Sequence, residues 1–201
     1  MCPGKHVEHA LETFDIRRLE RGDSLMDLTS LLHRAFSPMG RAGIACTGFN
    51  QSVDVTAQRV QRGECFVAIR QGRLVGTMTL QLPQRHSPSD WYRRADVTSL
   101  NQFAVDPVCQ GTGCGTCLLD FALDWAGERG FHALALDTPE PATQLIGFYT
   151  AQGFRPVERV RFAGRAYTSC VLSKPTALAA QSHRPFAGQS AHRQPLFGAM
   201  V

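Results

Sequence analysis

The sequence of 201 residues contains only two lysines, no long apolar run and no acidic residue near its C-terminal end. No stretch reaches the roughly 18 apolar residues that a membrane-spanning helix needs, so we expect no membrane partner. The first residues carry charges where a secretion signal needs an apolar stretch, and we therefore expect a cytoplasmic protein. Because Lys5 and Lys174 lie near opposite ends of the chain, the segment between them cannot form a Walker loop, which ends in Gly-Lys-Ser/Thr.

Positive charge is concentrated near the C-terminus. The chain has a net charge of +4, and six of its basic residues follow Glu158, after which no acidic residue occurs. Residues 1–158 therefore have a net charge of −2. A nucleic-acid-binding domain usually has a clustered basic face, so this uneven distribution leads us to expect no nucleic-acid partner.

Length and composition indicate one globular domain with less ordered ends. Hydrophobic residues make up 43% of the 201 residues, which is typical of a single globular domain. Residues 175–201 are rich in Ala, Gln, Pro, Gly and Ser without a helical or strand period, so we expect a disordered tail. A short docking segment built on Phe186 and Phe197 is the alternative. We expect residues 1–13 to be flexible, which leaves 14–174 for the domain.

Hydrophobic periodicity predicts strands and helices in the order β, α, α, β, β, β, α, β, α, β, β. The strongest local signal is a hairpin in residues 64–82, with its turn at Gln71-Gly72. The first helix has leucines at three- and four-residue spacing, and we expect Pro38 and Gly40 to end it. The order predicts an α/β domain in which helices flank a mixed sheet. Residues 98–138 form one βαβ unit, where a ligand crevice is expected.

The βαβ unit contains three glycines at alternate positions, Gly111, Gly113 and Gly115, directly between its strand and its helix. Glycines there remove side chains that would block a ligand, and the amides and dipole of the helix start attract phosphate. A dinucleotide-binding turn would need a glycine in place of Thr116, although Asp137 stands where its ribose-binding acid would be. A glycine-rich helix start without a ligand is the remaining alternative.

Two motifs around this helix identify a resemblance to the GNAT superfamily of N-acetyltransferases. Residues 105–115, VDPVCQGTGCG, match the acetyl-CoA loop V-x-P-x-x-Q/R-x-x-G-x-G/A of that family at every fixed position. Residues 149–154, YTAQGF, match its Y-x-x-x-G-F signature, and Tyr149 follows Gln110 by 39 residues. The resemblance implies a GNAT-like, mostly antiparallel sheet with a central splayed strand pair, and an N-acetyltransferase domain over residues 14–174.

The resemblance also implies roles for individual residues. Acetyl-CoA would be the co-substrate, with no metal, and would enter between the splayed strands. Tyr149 would protonate the departing thiolate of CoA. Main-chain groups near Phe103 and Val105 would pair with the pantetheine and the acetyl carbonyl. The pyrophosphate would be bound at the helix start by Gln110, Gly111, Thr112, Gly113, Cys114, Gly115 and Thr116.

The reaction implied by the resemblance is transfer of an acetyl group from acetyl-CoA to a primary amine of a small molecule or peptide, by direct attack in a ternary complex. The net negative charge of residues 1–158 suits a cationic amine. The strand before the loop offers Asn101 and Gln102 where many members have a glutamate. The base could therefore be another acid, such as Asp96, a water chain or bulk solvent. A non-catalytic CoA-binding sensor or subunit is the alternative, and the sequence leaves a homodimer open.

No pattern in the sequence identifies the acceptor amine. The polar loop of residues 83–96 contains Trp91 and Tyr92, and by position these side chains could either wall an acceptor pocket or form a surface turn.

Three cysteines, Cys109, Cys114 and Cys117, have the C-x4-C-x2-C spacing of some iron–sulfur loops. The fourth ligand would have to be the distant Cys170, and the glycine-rich helix start would have to be abandoned, so we expect no metal. We expect Cys117 to pack one turn before Phe121. A thiolate of Cys114 at the helix N-terminus could have a lowered pKa and be sensitive to oxidation.

Overall fold

The computed structural model describes residues 14–44 and 46–182 and contains a seven-stranded sheet in the order β1-β2-β3-β4-β5-β7-β6. The strands are β1 (Asp15–Arg18), β2 (Glu64–Arg70), β3 (Arg73–Gln81), β4 (Val97–Val105), β5 (Ala133–Pro139), β6 (Arg155–Val160) and β7 (Ser169–Pro175). The helices are α1 (Leu25–Arg41), α2 (Val53–Val60), α3 (Asp90–Arg93), α4 (Cys114–Glu128), α5 (Thr143–Ala151) and α6 (Ala177–Ser182). Within this part of the chain, no helix combines the length and apolar character needed to cross a membrane.

The centre of the sheet contains one parallel pair of strands, β4 and β5, whereas every other pairing is antiparallel. The parallel pairing covers only Val97–Leu100 on β4 and Ala133–Leu136 on β5, although both strands continue further. This arrangement confirms the predicted fold class, a mixed and mostly antiparallel sheet flanked by helices with a central splayed strand pair. It also excludes the doubly wound parallel sheet that a dinucleotide-binding turn would need.

The predicted hairpin is formed by β2 and β3, which are joined by Gln71 and Gly72. Both of these residues have positive φ angles, 51° and 72°. A two-residue hairpin turn with positive φ at both positions matches the right-handed twist of the strands, and glycine adopts that conformation without strain.

The first helix, α1, extends beyond the predicted end. Pro38 lies inside it, and the helix continues to Arg41. Proline lacks only one amide donor, and in the last turn this costs one backbone hydrogen bond, while the carbonyl of Pro38 still accepts from Ala42 N at 3.1 Å. Gly40 is needed for close packing rather than for the end of the helix, because a Cβ there would lie 2.5 Å from the ring of Phe49.

The ordered domain also extends past the start of the predicted tail. Thr176 is buried, and its hydroxyl and amide donate to the carbonyls of Phe131 and His132 at 2.8 and 2.9 Å. These bonds fix the chain at the end of β7, and α6 then packs against α4. The predicted flexible N-terminus and the docking segment at Phe186 and Phe197 lie outside the described residues.

Helices cover both faces of the sheet. The largest core cluster packs Leu118 and Leu119 of α4 against Leu134 and Leu136 of β5. The intervening Ala135 packs with Tyr92 of α3 on the opposite face, as the alternation of side chains along a strand requires. The helix α1 packs on β3 and β4. A ligand in the gap between β4 and β5 would therefore contact residues from the cores on both faces of the sheet.

Phe154, the last residue of the YTAQGF segment, is fully buried in the core that contains α4. We expect Phe154→Ala to lower the free energy of unfolding by about 3–5 kcal/mol, since the substitution leaves a large cavity. Denaturant unfolding measures this change. Val108→Ala is the control, because Val108 is 83% exposed and should change stability by less than about 0.5 kcal/mol. Similar losses in both variants would contradict the core assignment.

Candidate active site

A cavity of about 530 Å³ occupies the gap between β4 and β5. It extends from the start of α4 to residues of α1 and α2. The structure brings most of the sequence-predicted site residues together here: Phe103, Val105, Gln110, Gly111, Gly113, Gly115, Thr116 and Tyr149 all line the cavity.

The glycine-rich loop presents unpaired amides at this cavity. Gly111 and Gly113 have φ angles of 78° and 91°, which only glycine adopts readily. Gly113 is the N-cap of α4 and provides no side-chain cap. Within the described part of the chain, no protein group accepts a hydrogen bond from the amides of Gly111, Gly113, Cys114, Gly115 and Thr116. Unpaired amides at a helix N-terminus, together with the helix dipole, form a site for an anion such as phosphate.

Two predicted loop residues, Thr112 and Cys114, do not line the cavity with their side chains. The Thr112 hydroxyl donates to the Cys109 carbonyl at 2.7 Å and so closes the loop. The thiol of Cys114 packs into the core beside β3, where a Cβ on Gly76 would lie 3.2 Å from its sulfur. Gln110 lines the cavity, but its side-chain amide also donates to the Val105 carbonyl at 3.2 Å.

Burial determines the chemistry of Cys114. Its surroundings raise the pKa of the thiol to about 12, chiefly because the apolar core disfavours the thiolate. Cys114 therefore does not have the lowered pKa that a helix N-terminus could have given it, because its side chain packs into the core. The expected packing of Cys117 is also wrong, because this residue is exposed. Among the described residues, no group of three His, Cys, Asp or Glu is arranged to hold a metal ion.

A one-residue bulge distorts β4 beside the cavity. Thr77 of β3 pairs with Ala104, and Thr79 pairs with Asn101, so β4 contains one residue more than β3 in this interval. Gln102 is at the bulge, and its φ angle of 48° is rare for residues other than glycine. The bulge reverses which residues face each side: Leu100 and Phe103 pack in the α4-side core, whereas Ala104 packs with α1.

Tyr149 lies on α5 among aromatic rings. The ring centroids of Phe148, Phe103 and Phe154 are 5.3, 6.1 and 6.1 Å from its own. This burial raises the pKa of the Tyr149 phenol, and the negative charge of Asp137 raises it further. The phenol therefore keeps its proton across neutral and alkaline pH and can act as a donor.

A polar cluster that sequence reasoning missed lies at the end of β5. Asp137 lines the cavity, where Arg165 forms an ion pair with it and the Tyr92 hydroxyl donates to it at 3.2 Å. In the sequence, Asp137 stands out only by its spacing, as the acid of a dinucleotide-binding turn. The alternation along β5 could have placed Asp137 on the face of Ala135, but no local pattern pairs it with Arg165, 28 residues away.

The loop that contains Trp91 and Tyr92 supports the site from outside. Neither residue lines the cavity, so the loop does not wall a pocket in the way one prediction required. Glu158 on β6 holds the loop in place, because its carboxylate accepts from the Ser89 hydroxyl at 2.5 Å and from the Asp90 amide at 3.0 Å. This anchor positions the Tyr92 hydroxyl against Asp137.

The residues considered for the base are separated in the structure. Asp96 lies outside the cavity and pairs with Arg94 at 2.7 Å. Asn101 and Gln102 line the cavity but carry no charge. Among the described residues that line it, Asp137 is the sole carboxylate.

An ion pair joins α1 to the residue that follows β4. Asp106 is buried and accepts from Arg34 Nη2 at 2.6 Å and from Arg34 Nε at 3.1 Å. The Asp106 carboxylate also accepts from the Val108 amide at 3.2 Å. Asp106 therefore fixes the start of the glycine-rich loop through one contact to α1 and one to the backbone of the loop itself.

Sequence comparison agrees with this geometry. The profile of the acetyltransferase (GNAT) family matches residues 28–154, which contain the loop, the β4–β5 gap and the YTAQGF segment. The chain belongs to the acetyltransferase (GNAT) family. Family and fold together support acetyl transfer as the general reaction, with acetyl-CoA as the donor that the family uses.

Several known acetyltransferases are similar to this chain. The S-(2-succino)cysteine N-acetyltransferase of Bacillus subtilis (strain 168) is 29% identical over 134 residues, which are 66% of this chain and 77% of that protein. The ribosomal-protein-S18-alanine N-acetyltransferase of Escherichia coli has the same fold, with a TM-score of 0.61 and 21% identity over 81% of this chain and 94% of that one. A Bacillus subtilis acetyltransferase solved in complex with CoA gives a TM-score of 0.57 and 19% identity over 81% and 99% of the two chains.

We expect thiol alkylation to distinguish the cysteines of the loop. At pH 8 a thiol with a pKa near 12 is a thiolate in roughly one molecule in ten thousand, and the raised pKa of Cys114 therefore slows its alkylation. Iodoacetamide should label the exposed Cys117 and leave Cys114 unlabelled until the protein is denatured, as followed by fragmentation mass spectrometry. Cys117→Ser is the control that identifies the labelled position. Equal labelling of Cys114 and Cys117 in the folded protein would contradict the burial.

Proposed function

We propose that this protein transfers the acetyl group of acetyl-CoA to a primary amine of a small molecule or peptide, by direct attack within a ternary complex. The observation that carries the proposal is a single cavity that has unpaired amides at one end and the protonated phenol of Tyr149 along its wall. The amides suit the pyrophosphate of CoA, and the phenol suits the thiolate that leaves when the thioester is cleaved.

The path of the cofactor follows from the splayed strands. Beyond Leu100, the edge of β4 that faces β5 has no strand partner. Main-chain groups near Phe103 and Val105 would then bond an extended, amide-containing ligand in the way that a further strand would, with the Val105 carbonyl shared between this ligand and the Gln110 side-chain amide. The pantetheine arm of acetyl-CoA is such a ligand. The unpaired amides of Gly111, Gly113, Cys114, Gly115 and Thr116 would hold its pyrophosphate.

The chemistry requires one nucleophile and one acid. The amine nitrogen attacks the acetyl carbon, and the carbon–sulfur bond breaks after the carbon–nitrogen bond has formed. Tyr149 gives its proton to the departing sulfur and recovers a proton that the new amide nitrogen loses. The acceptor amine must be neutral when it attacks, and a water next to Asp137 is the candidate route for its first proton.

The names of the relatives support an amine acceptor without fixing its size. The Bacillus subtilis relative is named for an amino-acid derivative, and the Escherichia coli structure is named for an alanine of a ribosomal protein. Both are N-acetyltransferases. A small molecule and a peptide therefore both remain within the proposal.

One observation favours a second candidate function, a CoA-binding sensor or subunit without catalysis. The strand β4 offers the uncharged Asn101 and Gln102 at the cavity. A binding module would take up acetyl-CoA but release no thiol with any amine. An enzyme would release CoA thiol in an acceptor-dependent way, which a thiol reagent detects directly.

A pair of glycine variants tests the cofactor site. Gly113 and Gly130 lie at the two ends of α4, both have positive φ, and a Cβ at either position would meet open space. Alanine at each should therefore add a similar strain of about 1–2 kcal/mol. We expect Gly113→Ala to weaken acetyl-CoA binding at least about tenfold in isothermal titration, because the free amides shift, and Gly130→Ala to bind like the wild type. Equal affinity in both variants would contradict the site.

A second test removes the phenol of Tyr149. We expect Tyr149→Phe to lower kcat by about 10²–10⁴-fold, because the thiolate then leaves without its acid. Acetyl-CoA affinity should stay unchanged, which serves as the internal control for folding. Because the pKa of Tyr149 is raised, the wild-type kcat should not fall as the pH passes about 10, the ordinary pKa of tyrosine. Unchanged turnover in the variant would remove the acid role.

A further inference from the structure

We propose that Arg59 binds a carboxylate of the acceptor, so that the substrates are amines that also carry a carboxylate group. The proposal rests on the proposed function, since it assigns one end of the cavity to an acceptor. It names a residue of α2 that no motif contains.

The position of Arg59 places it at the acceptor end. The cavity wall at α1 and at the following turn consists of small and apolar residues, including Phe36, Met39 and Gly48. Arg59 from α2 joins this wall, and Arg165 and Tyr167 join it from the segment between β6 and β7. The unpaired amides of the glycine-rich loop belong to the start of α4, which packs on the face of the sheet opposite to α1. A ligand that enters the gap from the side of α1 would therefore meet Arg59 while the cofactor is held from the side of α4.

The charges of the cavity do not balance. Among the described residues that line it, only Arg59, Arg165 and Asp137 carry a full charge. Arg165 forms an ion pair with Asp137, and this carboxylate also accepts from the Tyr92 hydroxyl. Asp137 is thus already engaged, and one positive charge is left over. That charge belongs to Arg59, which forms no ion pair with any described residue.

The guanidinium of Arg59 is held in place by a neutral partner. Its Nη1 donates to Gln51 Oε1 at 2.7 Å, and Gln51 Nε2 donates in turn to the Thr56 hydroxyl at 2.7 Å. The Thr56 hydroxyl also accepts from the Thr29 hydroxyl of α1 at 2.8 Å. Gln51 and Thr56 are buried, so this chain is rigid. An arginine that uses one of five donors on a neutral acceptor is preorganised to bind a carboxylate with the others.

The surroundings of Arg59 make an anion favourable there. Burial lowers the pKa of Arg59, and the charge of Arg165 lowers it further, although Asp137 partly offsets this effect. A partly buried charge without a counterion is costly. One bound carboxylate neutralises the single excess charge, whereas a phosphate dianion would exceed it. The charge count thus favours a carboxylate.

The experiment compares amines that differ only in the carboxylate. Each L-amino acid and its C-terminal carboxamide form one pair, and S-carboxymethyl-L-cysteine with S-carbamoylmethyl-L-cysteine forms another. The kcat/KM of the full-length protein is measured with acetyl-CoA by thiol release. We expect at least one acid to exceed its carboxamide by tenfold or more in the wild type.

Arg59→Gln should abolish that preference by lowering kcat/KM for the acid tenfold or more and leaving the carboxamide nearly unchanged. Arg59→Lys keeps the charge but loses the planar guanidinium, so its preference for the acid should lie between those of the wild type and of Arg59→Gln. Arg62→Gln is the matched control, because Arg62 lies three residues further along, is exposed, and lines a different surface cavity. Thermal unfolding verifies that each variant is folded.

Two outcomes would overturn the carboxylate anchor. One is a wild type that uses acids and carboxamides equally well, and the other is an Arg59→Gln variant that keeps the preference. Absence of thiol release with every amine would instead overturn the proposed function. In that case the CoA-loaded protein is titrated with the N-acetylated acids and carboxamides. Tighter binding of the acid, with the difference abolished in Arg59→Gln, supports the anchor. Equal binding of acid and carboxamide refutes it.

Discussion

The structure of this protein depends on one incomplete pairing. Two parallel strands, β4 and β5, share hydrogen bonds over four residue pairs and then separate, although both continue toward the same edge of the sheet. Unpaired backbone groups inside a protein are unfavourable unless a ligand or water satisfies them. The gap therefore both opens the cavity and supplies main-chain groups for a ligand. The helix α4 starts beside it, and α1 with α2 closes the opposite side.

Local features of the fold and of the site could be predicted from the sequence, because short segments determine them. The positive φ angles at Gln71 and Gly72, and again at Gly111 and Gly113, are properties of a few neighbouring residues. The order of the seven strands and of the helices α1, α2, α4 and α5, and through the family resemblance the splayed pair, could be predicted as well, whereas the short helices α3 and α6 fall in segments predicted to be irregular. The direction of the Cys114 side chain could not, because position on a helix start does not reveal which face meets the core.

The part of the cavity around Arg59 could not be predicted, because its residues come from distant segments. Arg59, Asp137 and Arg165 belong to α2, β5 and the turn before β7, and none lies in a motif. Electrostatic effects in water extend only about 8–10 Å at moderate salt, so the net charge of −2 for residues 1–158 says little about the cavity. By itself, that charge suits a cationic amine. The side chains that line the cavity have the opposite balance.

The bulge at Gln102 has a consequence for how this chain can change. A regular strand exposes alternate residues to alternate faces, so a single inserted residue exchanges the faces for everything beyond it. Here that exchange puts Phe103 and Val105 on the side of α4 and Ala104 on the side of α1. If β4 became regular without losing a residue, Leu100 and Phe103 would be three positions apart and lie on opposite faces, and the ring of Phe103 would turn away from Tyr149. Deletion of the extra residue would instead restore regular pleating and keep Leu100 and Phe103 on the side of α4, so β4 can lose its bulge only together with one residue.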